Sequence, residues 1–234
     1  LYLLTWKIAP ALATGNTVVA KPSEITPMTA YLLSKICKEI NFPKGVLNII
    51  HGRGEKLGDA LTTHQDVPIV SFTGGSETGK HISKVTAPYF KKLSLELGGK
   101  NPNIIFDDCD FDKAVSTASR AAFTNQGQIC LCGSRVFVQN KIYEKFKSAL
   151  VDKAKKLIVG DPKNSNSHLG AVVSEEHMNK ILLKINEAKK LGGILLCGGE
   201  RLILEGELKN GYYIQPTVFE NLAYDCSINN EEIF

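Results

Sequence analysis

Four times in the first hundred residues a short, apolar, β-rich run is followed by a Gly- or Pro-marked joint, and three of these joints lead into a helical pattern. Thr17-Val18-Val19-Ala20 precedes a stretch in which Leu32, Leu33, Ile36 and Ile40 recur with a helical period. Val46-Leu47-Asn48-Ile49-Ile50 precedes a helix expected over 55–62, and Pro68-Ile69-Val70-Ser71-Phe72 precedes one over 76–85. Lys92-Leu93-Ser94-Leu95-Glu96 closes the series. Strands alternating with helices through short joints predict βαβ units and a parallel sheet, because parallel neighbours need a crossover between them. Such sheets bind ligands where strand ends meet helix starts.

The texture changes after Gly98-Gly99-Lys100-Asn101-Pro102. Asn103-Ile104-Ile105-Phe106 reads as a strand, and Asp110 as the cap of a helix running to about Thr124. A loop with few charges holds Cys130, and Arg135-Val136-Phe137-Val138 reads as a further strand. Ile142, Phe146, Ala149, Leu150 and Leu157 mark one face of a long helix that Gly160-Asp161-Pro162 is expected to stop. A last helix is expected over 175–191. The expected organisation is therefore α/β, with a Rossmann-like parallel-sheet domain over 1–98 and part of a second α/β domain over 99–234.

Composition narrows the function classes. The chain has 43% hydrophobic and 22% charged residues and a formal net charge of +4, which fits an ordinary globular chain rather than a disordered or fibrous one. It has no basic block or aromatic-spaced basic stripe, which argues against a nucleic-acid partner. The longest uncharged run, Ala121 to Ser134, is fourteen residues, short of the ~18 that a membrane span needs. The six cysteines form no CxxC pair and no Cys/His ligand spacing, so reduced thiols in the cytoplasm and no metal are expected. The chain opens on Leu1 without an initiator Met and stops at Phe234, and reads as a piece of a longer protein.

Four constellations can carry chemistry. Cys130 lies in Phe123-Thr124-Asn125-Gln126-Gly127-Gln128-Ile129-Cys130-Leu131-Cys132, where a Gly-containing turn can aim backbone N–H groups at a thiolate or an oxyanion. Cys132, two positions on, reads as an inert buried thiol. Glu96 ends an apolar strand and is followed by Gly98-Gly99; burial there would raise its pKa and suit it to general-base work. The third is a set of Gly-rich turns, Phe72-Thr73-Gly74-Gly75-Ser76 and His51-Gly52-Arg53-Gly54-Glu55, each leaving a strand and opening a helix whose free N–H groups can cradle a pyrophosphate. Lys21 and Glu24 leave the first strand, where a carboxylate can accept from ribose hydroxyls and repel a 2′-phosphate. Each feature alone also has an ordinary reading as a buried Cys, a surface Glu or a simple turn.

Together these segments resemble the aldehyde dehydrogenase superfamily. Glu96-Leu97-Gly98-Gly99-Lys100-Asn101-Pro102, with Leu93 before it, resembles the family's glutamate signature, and Asn125-Gln126-Gly127-Gln128-Ile129-Cys130 its cysteine signature. Phe72-Thr73-Gly74 and Lys21-Pro22-Ser23-Glu24 resemble its coenzyme segments, and Trp6-Lys7 with Pro10 to Asn16 the helix entering them. Glu231-Glu232-Ile233-Phe234 is similar to the start of a late family motif. The resemblance covers the whole chain, and the chain about the middle half of a family member. One departure is Gly75, where many relatives have Ser.

The resemblance implies NAD as cofactor, Cys130 as nucleophile, and Glu96 as the base that activates water to release a carboxylic acid. It implies coenzyme contacts from Lys21, Glu24, Gly54, Phe72, Thr73, Gly74, Gly75, Ser76 and Leu97. Glu232 is expected to hold the nicotinamide ribose, and Phe234 to pack near the ring. A small-molecule aldehyde is the expected partner, and a homo-oligomer the expected assembly. The wording is most similar to the branch that oxidises 2-aminomuconic semialdehyde, with parts shared by betaine-aldehyde and hydroxymuconic-semialdehyde oxidisers. Two other readings stay open: a non-catalytic structural relative, and a cysteine hydrolase using one of five histidines (51, 64, 81, 168 and 177), none of which has a catalytic context.

Overall fold

The computed structural model describes residues 1–234, which divide into two units, Leu1–Leu97 and Gly98–Phe234. The first unit runs α1 (Tyr2–Ala13), β1 (Val18–Ala20), α2 (Met28–Glu39), β2 (Leu47–Ile49), α3 (Gly54–Thr62), β3 (Ile69–Gly74), α4 (Ser76–Thr86) and β4 (Lys92–Leu97). Each strand and helix anticipated from hydrophobic period is present, with ends shifted by a residue or two. Both strand pairings are parallel, β1 with β2 and β3 with β4. The pairs form two separate two-stranded ladders rather than the one sheet expected from the alternation. Strands β1 and β2 are only three residues long, so their ladder is short. Helix α4 crosses back tightly over β4: a Cβ at Gly79 would come within 2.6 Å of the Leu97 side chain. Glycine is what permits that approach.

The second unit runs β5 (Pro102–Ile105), α5 (Phe111–Phe123), β6 (Arg135–Val138), α6 (Tyr143–Lys155), α7 (Glu175–Lys190), β7 (Ile194–Cys197), β8 (Arg201–Leu202), β9 (Tyr213–Ile214), β10 (Val218–Glu220) and α8 (Ser227–Asn230). Strands β5 and β6 are parallel around α5, a further βαβ unit, whereas β7 with β10 and β8 with β9 are antiparallel. Asp110 caps α5 by accepting from the Lys113 N–H at 3.2 Å, and Ser174 caps α7 by accepting from the His177 N–H at 3.2 Å. Helix α6 ends sooner than its apolar face suggests. The Lys156 and Leu157 N–H groups turn to carbonyls three residues back, at 3.2 and 3.1 Å, tightening and ending the last turn. Leu157 still packs, but from the loop, against Val159, Leu169 and Tyr213.

The main core of this unit joins Ile105, Val115, Ala118, Phe146 and Leu150, so one βα unit and α6 share it. Phe146 is fully buried and meets Phe111 edge-on, with ring centroids 5.9 Å apart. In the same first turns of α6, Lys147 lies 3.1 Å from Glu220 and Tyr143 donates to the same carboxylate at 3.0 Å, tying α6 to β10. No helix is long and apolar enough to cross a membrane.

Candidate active site

Cys130 sits on a turn between α5 and β6. After Phe123 the chain passes through three residues with left-handed backbone, Asn125 (φ 53°), Gln126 (φ 57°) and Gly127 (φ 76°). Asn and Gly tolerate this conformation best. The Asn125 amide donates to the Gln128 carbonyl at 3.0 Å, closing the loop on itself. The Cys132 N–H then donates to the Ile129 carbonyl at 2.9 Å, leaving Cys130 and Leu131 at the tip of a β-turn. From the other side Asn101 donates its amide to the carbonyls of Cys130 (2.6 Å) and Cys132 (3.1 Å). The turn's carbonyls are thus anchored, while the Cys130 N–H donates to no group of the chain. A half-buried thiol beside an uncommitted N–H is what covalent attack with oxyanion stabilisation requires.

Cys132 is the opposite kind of thiol. It is buried, its Sγ lies 3.0 Å from the Gly127 carbonyl, and burial pushes its pKa up. A cavity of about 350 Å³ in this unit borders Cys132 and not Cys130. Its walls include Gly127, Lys100 and Glu232.

In the first unit, the register of β3 on β4 sets Thr73 opposite Glu96 and Gly74 opposite Leu97. The expected coenzyme segment and the expected base therefore end the same parallel ladder. Glu96 is exposed, contrary to the burial anticipated from its apolar strand: along β4 the side chains alternate, and Glu96 shares the open face with Lys92 and Ser94. Lys7, named in the sequence only as part of the segment with Trp6, is a neighbour given no role there. Its ammonium donates to the Ser71 hydroxyl at 2.9 Å. Burial lowers its pKa, and the charge of Glu96 pushes back up.

The remaining expected coenzyme groups of this unit collect at strand ends. Lys21 donates to the Pro22 carbonyl at 2.8 Å and lies 3.4 Å from both the Glu24 carboxylate and the Gly52 carbonyl. Glu24 in turn accepts from the Gly54 N–H, the first of α3, at 3.5 Å. Its own backbone N–H, then Gly54 and Lys21, hold its carboxyl below the usual range against slight desolvation, so it is ionised at neutral pH. At the next joint Gly75 caps α4 with no side-chain bond, and the N–H groups of Ser76, Glu77 and Thr78 point out of the helix start. A Cβ at Gly75 would meet nothing within 4 Å. The Phe72 ring lies over Gly74, where a Cβ would come within 2.5 Å of it.

In the second unit the Glu232 carboxylate lies directly on Gly98, so close that any Cβ there would collide with it. Phe234 stacks edge-on against His177 with centroids 5.9 Å apart, and its carbonyl lies 3.0 Å from His177 Nε2. No group of three or more His, Cys, Asp and Glu side chains is placed to hold a metal. Asn101 and His177 are the contacts here that the residue pattern did not reveal. Asn101 stood in the motif without a role, and nothing in the sequence pairs His177 with a segment 57 residues away.

Parallel strand pairs whose ends lead into helix N-termini define a Rossmann-like α/β architecture. The chain matches the aldehyde dehydrogenase family over residues 1–234, and it belongs to that family. It is 46% identical to a 2-aminomuconic semialdehyde dehydrogenase of Danio rerio, over all of this chain and 48% of that protein. It is 44% identical to a betaine aldehyde dehydrogenase of Bacillus subtilis, over 98% of this chain and 47% of that protein. A betaine aldehyde dehydrogenase of Staphylococcus aureus, crystallised in complex with NAD+, aligns at 47% identity and a TM-score of 0.94, over 98% of this chain and 45% of that one. The chain thus spans about half the length of the relatives it matches.

Proposed function

We propose that this chain is the central part of an NAD-dependent aldehyde dehydrogenase that oxidises a semialdehyde to its carboxylic acid. The single observation that carries the reading is the Cys130 turn, where Asn101 fixes the carbonyls and leaves the Cys130 N–H without a partner. The Cys130 thiolate attacks the aldehyde carbon, forming a C–S bond, while that N–H donates to the developing oxyanion. NAD, when bound, supplies the acceptor for the hydride that this carbon gives up. Cys130 then holds the acyl group as a thioester. Glu96 takes a proton from water as the water oxygen adds to the thioester carbon, and the C–S bond breaks to return the thiolate and release the acid.

The donor set suits the coenzyme. The Ser76, Glu77 and Thr78 N–H groups at the α4 start suit a pyrophosphate, with Gly74 and Gly75 keeping the approach free of side chains. The ionised Glu24, with Lys21 and Gly54 beside it, suits ribose hydroxyls and disfavours a 2′-phosphate. Phe72, Thr73 and Leu97 border the same strand ends, and the family resemblance assigns Glu232 to the nicotinamide ribose and Phe234 to its ring. On this reading residues 1–98 form the coenzyme domain and 99–234 part of the catalytic domain. The match to 2-aminomuconic semialdehyde dehydrogenases supports the substrate class. A cytoplasmic homo-oligomer completes the reading, and the isolated 1–234 chain is expected not to turn over.

The test is single-turnover kinetics on the full-length protein with a panel of semialdehydes. Glu96→Gln should release a stoichiometric burst of NADH and then stall with a trapped thioester, whereas Cys130→Ala should give no burst. Steady turnover by the Glu96→Gln protein would remove Glu96 from its assigned role.

A further inference from the structure

One face of α7 runs beside the segment that carries Glu232. Near its middle, Lys184 lies 3.0 Å from Glu231 and 3.0 Å from Glu187, and Glu187 accepts from the hydroxyl of Ser227 at the start of α8. Two turns earlier on the same helix, His177 holds the Phe234 carbonyl at 3.0 Å and stacks against its ring. Seven helical residues rise about 10 Å. Three steps of extended chain from Glu231 to Phe234 cover about 10 Å as well. The two contacts therefore match in length, and the segment lies antiparallel to α7 with both ends fixed.

Glu231 is extended (φ −103°, ψ 141°) and turns toward Lys184, and Ile233 shares the cavity wall with Ile181 of α7. Glu232, between these tethered residues, lies with its carboxylate on Gly98. Its place is set between two residues tethered to α7, Glu231 and Phe234.

We infer that Lys184 and His177 are positioning residues for Glu232: by clamping Glu231 and Phe234 to α7 they aim the Glu232 carboxylate, and so set affinity for the coenzyme ribose. This rests on the reading of Glu232 as the ribose-holding carboxylate. Lys184 touches neither coenzyme nor substrate, and its effect is confined to coenzyme binding.

The experiment is steady-state kinetics of full-length Lys184→Met, with NAD varied, beside Lys184→Arg and Glu232→Gln. Lys184→Met should raise KM for NAD about 3- to 10-fold, a size typical of one positioned charge contact. Its kcat and the rate of Cys130 alkylation should stay within two-fold, and Lys184→Arg should recover most of the NAD KM. An unchanged NAD KM in Lys184→Met, with a raised one in Glu232→Gln, overturns the clamp and leaves the ribose reading standing. An unchanged NAD KM in Glu232→Gln overturns the ribose reading and the clamp with it. If Lys184→Met does not fold, the exchanged pair Lys184→Glu with Glu231→Lys replaces it. A near-native NAD KM in that pair supports the clamp, and a raised one in a folded protein overturns it.

Discussion

The two units bury themselves differently. In the second, three clusters of buried apolar side chains join α5, α6 and the strands around them. In the first, the buried positions are few and mostly small, among them Ala20, Ala30 and Gly79 with Ile8, Val70 and Ile82, and they form no such cluster. Helix α2 and the residue that ends it even show an apolar stripe to solvent, with Met28, Leu32, Ile36 and Ile40 all at least half exposed. On the proposed reading, what the first unit offers the coenzyme is largely backbone: helix N-termini and strand ends. What the second offers is a packed scaffold holding one thiol on a strained turn. On the proposed reading most coenzyme contacts fall to the first unit and the nucleophile to the second, with Glu96, Glu232 and Phe234 as exceptions, and variants should separate the two roles.

The largest effect should come from the thiol. Cys130→Ala should lower turnover by on the order of 10⁵-fold, as loss of an enzymatic nucleophile does, while leaving NAD affinity within two-fold. Cys132→Ala should keep most activity, because that thiol is buried, protonated and bonded to the Gly127 carbonyl. Activity assays with NAD titration on the two full-length variants check this. Equal losses from both would merge the two thiols into one functional unit and undo the contrast drawn between them.

Next is packing. Phe146→Ala should destabilise the second unit by about 3–5 kcal/mol, since the ring is fully buried against Phe111 and the α5–α6 core. Ile36→Ser in the first unit, on the open stripe of α2, should change the stability of the 1–234 chain by no more than about 0.5 kcal/mol and delay its aggregation on heating. Urea unfolding and light scattering read the two quantities. A cost of 2 kcal/mol or more for Ile36→Ser would show that the stripe is covered.

Much of this was readable in the residues, and the exceptions share a cause. Every strand and helix of the first unit after α1 follows from hydrophobic period and Gly or Pro punctuation, because each is a local pattern, whereas α1 is reached only through the family resemblance. The short strands β7 to β10 were not anticipated: two to four residues carry too little period, and their pairing is set by tertiary contact. Leu157 shows the same limit, since an apolar residue in helical phase packs equally well from the loop after α6. At the site, Cys130 and Glu96 stand out by motif, and the exposure of Glu96 does not, because alternation says which residues share a face and not which face is covered. Asn101, Lys7 and His177 act through contacts 29 to 64 positions away, which no local pattern encodes.

A smaller effect concerns pH. Burial first of all lowers the pKa of His177, although its bond to Phe234 opposes the shift. The unfolded chain therefore binds the proton at higher pH than the folded one, and stability should fall as pH drops from about 7 through the ordinary histidine pKa of about 6.5. His177→Gln should flatten that slope. Melting temperatures from pH 7.5 to 5.5 for the two proteins decide it, and identical slopes would show that His177 contributes nothing to the pH response.

The smallest effect sharpens the first unit's reliance on backbone. Gly75 caps α4 with φ −67° and ψ 149°, an extended conformation open to any residue, and a Cβ there meets nothing within 4 Å. Gly75→Ser should therefore cause no strain. Its hydroxyl can accept from the N–H of Glu77 or Thr78, for a gain of a few tenths of a kcal/mol. That same bond would occupy an N–H assigned to the pyrophosphate, whereas a hydroxyl turned outward would add a donor to it. The sign of the change in NAD affinity distinguishes the two. With three N–H groups free and no competing side chain at present, capping should prevail, so melting temperature should rise slightly while Kd for NAD increases by up to about three-fold. Isothermal titration on the full-length variant measures it, and tighter NAD binding would mean that backbone alone leaves this phosphate site short of donors.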